Sequence, residues 1–174
     1  MRIGIIFIAF IVLIFSNGCS RTVKYKTVDH YNIFDVDVPD YFKTLVIPKS
    51  NSQFQIGDRT EKFYLTIFME NISELTELGF DSDLNSYSRI CLEGIKVMLG
   101  SPKVIEIDEF KYNDERKSYR ITKFHEPTSD VLVYYISFFK GKTKFYSMVT
   151  WCLESDKSEH LETMTHIHSS FKEK

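Results

Sequence analysis

The stretch from Val131 to Cys152 limits the possible folds more than any other part of the sequence. Val131 to Lys140 and Lys142 to Cys152 are long aromatic and β-branched runs, with Gly141-Lys142 between them. Runs of this kind read as strands, and a two-residue turn at Gly141-Lys142 joins them into an antiparallel hairpin. Leu132, Tyr134, Ile136 and Phe138 project from one face; Val131, Val133, Tyr135 and Phe139 project from the other. A strand that is apolar on both faces must be covered on both. The hairpin is therefore expected at the centre of a sheet with further layers above and below it.

The rest of the chain supplies those layers. Lys62 to Glu70 is a second double-sided strand, with Phe63, Leu65, Ile67 and Met69 on one face and Tyr64, Thr66 and Phe68 on the other. Shorter alternating runs predict strands at Tyr31–Pro39, Leu45–Ile47, Gln53–Ile56, Lys103–Lys111 and Lys117–His125. Residues 72–80 read as a loop with one helical turn. Asp83 to Leu99 is a helix, capped by Asp81, Ser82 or Asp83 and ended by Gly100 and Pro102. Its apolar stripe is Leu84, Tyr87, Cys91, Ile95 and Met98. Ser155 to Lys174 is a second helix, with Leu161, Met164, Ile167 and Phe171 as its stripe. The order predicts an α+β protein: an α/β/α sandwich with a central, mainly antiparallel sheet flanked by helices.

Ahead of this body stands a leader. Arg2 is followed by thirteen apolar residues, Ile3 to Phe15, then Ser16-Asn17-Gly18-Cys19. As a helix the apolar run covers about 20 Å at ~1.5 Å per residue, short of the ~20 residues of a membrane span. It reads as a secretory signal. Gly18-Cys19 resembles the lipobox of bacterial lipoproteins, although Ser16 stands where that pattern prefers Leu. The resemblance implies cleavage before Cys19 and acyl chains on Cys19, several of which together anchor a protein stably. The alternative is an ordinary cleaved leader with an incidental cysteine. Ser20, not Asp, follows Cys19, so the expected address is the bacterial cell envelope, at the periplasmic face of the outer membrane. The organisation is then 1–18 signal peptide, 19–30 lipidated cysteine and tether, and 31–174 one α+β domain.

The 156 residues after the leader carry 21 basic and 24 acidic side chains, a balance that argues against a nucleic-acid partner. Cys91 and Cys152 remain after the anchor. An oxidising compartment permits a disulfide between them, but both also lie on apolar faces, where cysteine serves as a small hydrophobe.

Catalytic and metal-binding patterns are missing. No His-Glu-x-x-His, Cys-x-x-Cys, phosphate loop or nucleophile elbow occurs, so no enzyme, metal or cofactor is expected. His160, His166 and His168 fall at spacings that do not converge on one metal and read as a solvated helix face. His125 has no visible partner. The acidic groups Glu106-x-Asp108-Glu109 and Asp114-Glu115 read as solvated. Ten Tyr and fifteen Phe exceed what a surface would carry. Most must be core, and Tyr112, Tyr119 and Trp151 are candidates for an aromatic binding surface.

Phe34-Asp35-Val36-Asp37-Val38-Pro39-Asp40-Tyr41-Phe42, the hairpin around Gly141-Lys142 and the closing Ser169-Ser170-Phe171-Lys172 resemble the PsbP-like and Mog1-like superfamily. The resemblance spans residues 31–172. It implies a sandwich fold and a non-catalytic accessory role, and brings no catalytic residues. The expected function is a lipid-anchored envelope binding protein that meets an unknown envelope protein. The alternatives are a carrier of a hydrophobic small molecule or lipid in the space between helix 83–99 and the sheet, and a periplasmic immunity protein against a secreted toxin.

Overall fold

The computed structural model describes residues 22–47, 50–100, 103–106, 116–125 and 129–174. The strands are β1 (Tyr25–His30), β2 (Phe34–Pro39), β3 (Lys43–Thr44), β4 (Phe54–Asp58), β5 (Phe63–Asn71), β6 (Lys103–Glu106), β7 (Arg116–His125), β8 (Asp130–Lys140), β9 (Lys144–Leu153) and β10 (Lys172–Glu173). The helices are α1 (Ile72–Glu77), α2 (Leu84–Leu99) and α3 (Lys157–Ser170). A seven-stranded sheet runs β3-β4-β5-β9-β8-β7-β6, and a three-stranded sheet runs β1-β2-β10. Among the described residues every strand pair is antiparallel. This is the expected α+β architecture, with the β8–β9 hairpin near the centre of the large sheet.

Two core clusters divide the large sheet by face. On one face Phe63, Leu65, Ile67, Val133, Tyr135, Met148 and Cys152 pack against β2 (Phe34, Val36, Val38) and α3 (Met164, Ile167). On the other, Ile121, Ile136, Phe138 and Phe145 pack against Leu84, Tyr87 and Leu92 of α2. The first face is thus covered by α3 together with the small sheet. Strand β2 suits that covering layer: Phe34, Val36 and Val38 are buried, while Asp35 and Asp37 point outward. It has one apolar face and needs one layer beneath it.

Helix α2 follows its sequence signals closely. Asp83 caps it, accepting the Ser86 N–H at 3.0 Å, and Gly100 ends it at φ 59°. Other elements shift, each for a local reason. The segment to His30, read as a tether ending in a short strand, ends in β1, which pairs along the whole of β2. The strand expected at Leu45–Ile47 is replaced by Lys43–Thr44; beyond it the Leu45 N–H still donates to Gln55 O at 3.2 Å, while the Ile47 N–H goes to the Gln55 side chain. Residues 72–77, read as a loop with a single turn, are α1. The hairpin reverses around Lys142-Thr143, one residue later than expected, with the Gly141 N–H donating to Lys144 O at 2.8 Å. The last helix stops at Ser170 rather than running to Lys174. Phe171 is extended there, so that its ring meets Phe139 at 4.6 Å, Tyr146 at 5.0 Å and Phe34 at 5.3 Å. Lys172-Glu173 then pair with β2, and Lys174 Nζ reaches Asp29 and Asp35.

The reading of the α3 histidines as solvated is corrected for two of the three. His160 and His168 are buried, with Thr163, Met164 and Ile167 on the same helical face. His160 stacks on Phe63 with ring centroids 4.5 Å apart. His168 Nδ1 is 2.7 Å from Ser137 Oγ, and its Nε2 is 2.9 Å from Thr150 Oγ1. Only His166 keeps solvent contact, lying 3.6 Å from an Asp37 carboxylate oxygen.

Candidate functional site

Helix α2 covers only part of its face of the sheet. Its stripe turns Leu84, Tyr87 and Leu92 onto β7 and β8, leaving Cys91, Ile95 and Leu99 half-buried along one flank. Beyond that flank the sheet continues, through Leu132 and Tyr134 of β8, Val149 and Trp151 of β9, and Thr66 and Phe68 of β5. Ile47, Ser50 and Asn51, ahead of β4, make the far wall. Together they enclose a groove of about 720 Å³. Strand periodicity brings these walls together. In the β5–β9–β8 ladder Tyr64 pairs with Trp151 and Trp151 with Tyr134, so the three aromatics form one row. Tyr64 stacks on Trp151 at 5.2 Å. Gly94 faces the groove from the helix, and a methyl group placed there would meet nothing within 4 Å.

One end of the groove is polar. Tyr87 lies flat on Phe145, with ring centroids 4.3 Å apart and planes 9° from parallel. Its Oη is 2.5 Å from Glu70 Oε2 and 2.8 Å from Ser147 Oγ. A carboxylate only accepts, so the phenol proton points to Glu70 and the Ser147 hydroxyl donates to Tyr87. Burial, with the nearby Cys91 and Glu70, holds the Tyr87 phenol protonated far above its ordinary range. Burial and the Glu70 charge likewise push the Cys91 thiol up to about 11, so it is an inert thiol at neutral pH and not a nucleophile. Past this polar end lies a smaller recess of about 120 Å³, lined by Leu75, Phe80, Asp81, Tyr87 and Ile90, which shares Glu70 and Cys91 with the groove. A second, more polar hollow of about 650 Å³ lies where the chain enters β1 beside the start of α3.

The residues singled out from the sequence separate. Trp151 lines the groove, half-exposed. Tyr119 does not belong to a surface: it is 9% exposed and packs edge-on against Phe138. Its strand position opposite Ile136 puts it beneath α2. Cys19 and Tyr112 lie outside the described residues. The possible Cys91–Cys152 disulfide is absent, and both thiols are free. Cys91 projects from α2 onto one face of the sheet and Cys152 lies in the cluster on the opposite face, so the sheet separates them. Glu70, Phe68 and Ile95 were not foreseen as site residues. The signal for Glu70 was present, since Tyr64, Thr66, Phe68 and Glu70 share one strand face that turns abruptly from apolar to charged. Among the described residues no His, Cys, Asp or Glu side chains group in threes to hold a metal ion. Among them, too, no helix is long and apolar enough to cross a membrane.

No protein-family model matches the chain, and no curated protein matches it. Solved structures do. Cyanobacterial PsbP (CyanoP) from Synechocystis sp. PCC 6803 superposes with a TM-score of 0.57 at 14% identity, over 91% of this chain and 98% of that one. LpqN, a protein involved in cell envelope biogenesis of Mycobacterium tuberculosis, gives 0.45 at 10% identity, over 87% and 91%. PA94, a protein of unknown function from Pseudomonas aeruginosa, gives 0.42 at 12%, over 81% and 91%. The likeness to the first of these establishes the fold: the chain has a PsbP-like fold.

Proposed function

We propose that this protein is a non-enzymatic binding protein of the bacterial cell envelope, anchored by lipid on Cys19, and that its groove beside α2 receives an apolar small molecule or acyl chain. The observation that carries this reading is the groove itself. Its volume of about 720 Å³ lies within the roughly 300–1,000 Å³ of small-molecule sites, which are concave, mostly apolar and fitted with a few polar groups. Of the aromatic row, Tyr134 and Trp151 line this concave space, and both are partly buried. The Ile3–Phe15 leader with Gly18-Cys19 supports delivery to the envelope, and the PsbP-like fold is compatible with an accessory role. Contact with an envelope protein remains part of the proposal, as the step that would hand the ligand on.

Trp151 is the sole tryptophan of the chain, so its fluorescence reports on the groove. Titration of the purified full chain with 1-decanol should give a saturable spectral shift with one site. Gly94→Leu fills open space in the groove and should weaken that binding without lowering thermal stability. No saturable shift, or an unchanged affinity in the variant, refutes the ligand reading. Intact mass from host membranes, beside Cys19→Ala, tests the anchor: acyl mass on Cys19, lost in the variant together with membrane partition, is the expected result.

A further inference from the structure

The polar end of the groove is charged with one sign only. Among the described residues, the lining of the groove and of its 120 Å³ recess contains Glu70 and Asp81 but no Lys or Arg. Asp81 Oδ2 accepts the Ser86 hydroxyl at 3.2 Å. Among the described residues the Glu70 side chain accepts the Tyr87 hydroxyl and is engaged by no ion pair. Two lysines stand near it in the ladder, and neither neutralises it. Lys144 pairs with Asn71 and turns its Nζ to Asn71 Oδ1 at 2.5 Å. Lys140 lies in the same row as Glu70 but one strand further off, beyond Phe145. The exposed Glu70 carboxylate is therefore held by a buried phenol and, among the described residues, has no counter-ion where the apolar walls end.

We infer that the groove's ligand is a cationic amphiphile, an alkyl chain or ring system bearing an ammonium group, with the cation at Glu70 and the apolar body along Phe68, Val149, Trp151 and Ile95. This rests on the reading that the groove binds an apolar molecule, and it names the head group. An ammonium donates to Glu70 and gains the field of Asp81 at the edge of a low-dielectric wall, where a charge pair is worth more than in water. A carboxylate or phosphate head would meet two like charges and no donor stronger than a hydroxyl. A neutral head leaves the Glu70 charge uncompensated, so it binds between the two.

Three probes of equal chain length separate these cases: decylammonium, 1-decanol and decanoate, each titrated at pH 7 against the full chain with Trp151 fluorescence as readout. The expected order is decylammonium, then decanol, then decanoate, with decylammonium favoured over decanoate by roughly tenfold or more. Glu70→Gln should remove most of that preference by weakening decylammonium and strengthening decanoate binding, with an unchanged far-UV circular dichroism spectrum showing that the variant is folded. If all three probes bind equally, the apolar groove stands and the cationic assignment falls. If the preference survives Glu70→Gln, the assignment to Glu70 is overturned. If no probe binds, the groove reading fails and this inference with it.

Discussion

His168 makes the stability of this domain depend on pH in a window that can be calculated. The ring is fully buried on α3 between Ser137 and Thr150. The Arg116 guanidinium donates to the His168 carbonyl at 2.5 Å. Burial, with the neighbouring Arg116 charge, lowers the imidazole from its ordinary 6.5 to about 3. The folded protein therefore holds the ring neutral, while the unfolded chain takes up a proton below pH 6.5. Between those values the unfolded state binds more protons, so stability rises with pH and falls on acidification. At about 1.4 kcal/mol per pH unit, going from pH 7 to pH 4.5 removes about 2.5 kcal/mol through this one group. For a chain of this size that lowers Tm by roughly 5–10 °C. Half-buried His30 is shifted the same way by its own burial, so total acid loss does not isolate His168. The comparison that does is His168→Asn, whose amide preserves a hydrogen bond to one hydroxyl without titrating. Urea denaturation of both proteins at pH 7 and pH 4.5 should show the stability gap narrowing by about 2.5 kcal/mol as pH falls. A gap that stays constant, or His168 ring resonances that titrate near 6.5 in the folded protein, would refute the reasoning.

Further outcomes follow from the same contacts. Gly94→Ala should stabilise the domain by up to about 1 kcal/mol in chemical denaturation, because helix propensity improves and the added methyl meets nothing. Gly57→Ala should do the opposite, losing about 1–3 kcal/mol, since its methyl would lie 2.6 Å from Phe63 O and 2.9 Å from Tyr64 Cα. Asp83→Ala removes the Ser86 cap of α2 and should cost about 1 kcal/mol, read in the same assay. Unreduced protein unfolded in denaturant should take up alkylating reagent at both Cys91 and Cys152. A linked Cys91–Cys152 peptide by mass spectrometry would contradict their placement on opposite faces.

Strand periodicity carried most of the architecture. The double-sided apolar runs at 63–69 and 131–152 required covered faces, and β5, β8 and β9 have them with the expected inward and outward residues. The cap at Asp83 and the stop at Gly100 were also legible, because capping is local chemistry. Features decided by distant partners were not. Residues 25–30 look like a linker until β2 pairs with them, and 172–173 look like helix until Phe171 finds Phe34 and Tyr146. The histidines of α3 were judged for convergence on a metal, yet their spacing with Met164 and Ile167 also marks a buried face, and Ser137 and Thr150 supply the partners that make burial tolerable. The groove was legible only as space between α2 and the sheet. Its polar end depends on Glu70, Tyr87 and Ser147, which come from three elements and meet only in the fold.

The small sheet ties the two ends of the domain together. Strand β2 lies between β1 and β10, and Lys174 is bonded to Asp29 across 145 residues of sequence. A chain made from its N-terminus presents Phe34, Val36 and Val38 early, and the last of their cover, α3 and Phe171, arrives at its end. Contacts at such separation close late and slowly. The β1–β2 hairpin would therefore wait as an open, sticky edge through synthesis, and the domain could reach its native state only after its last strand had followed.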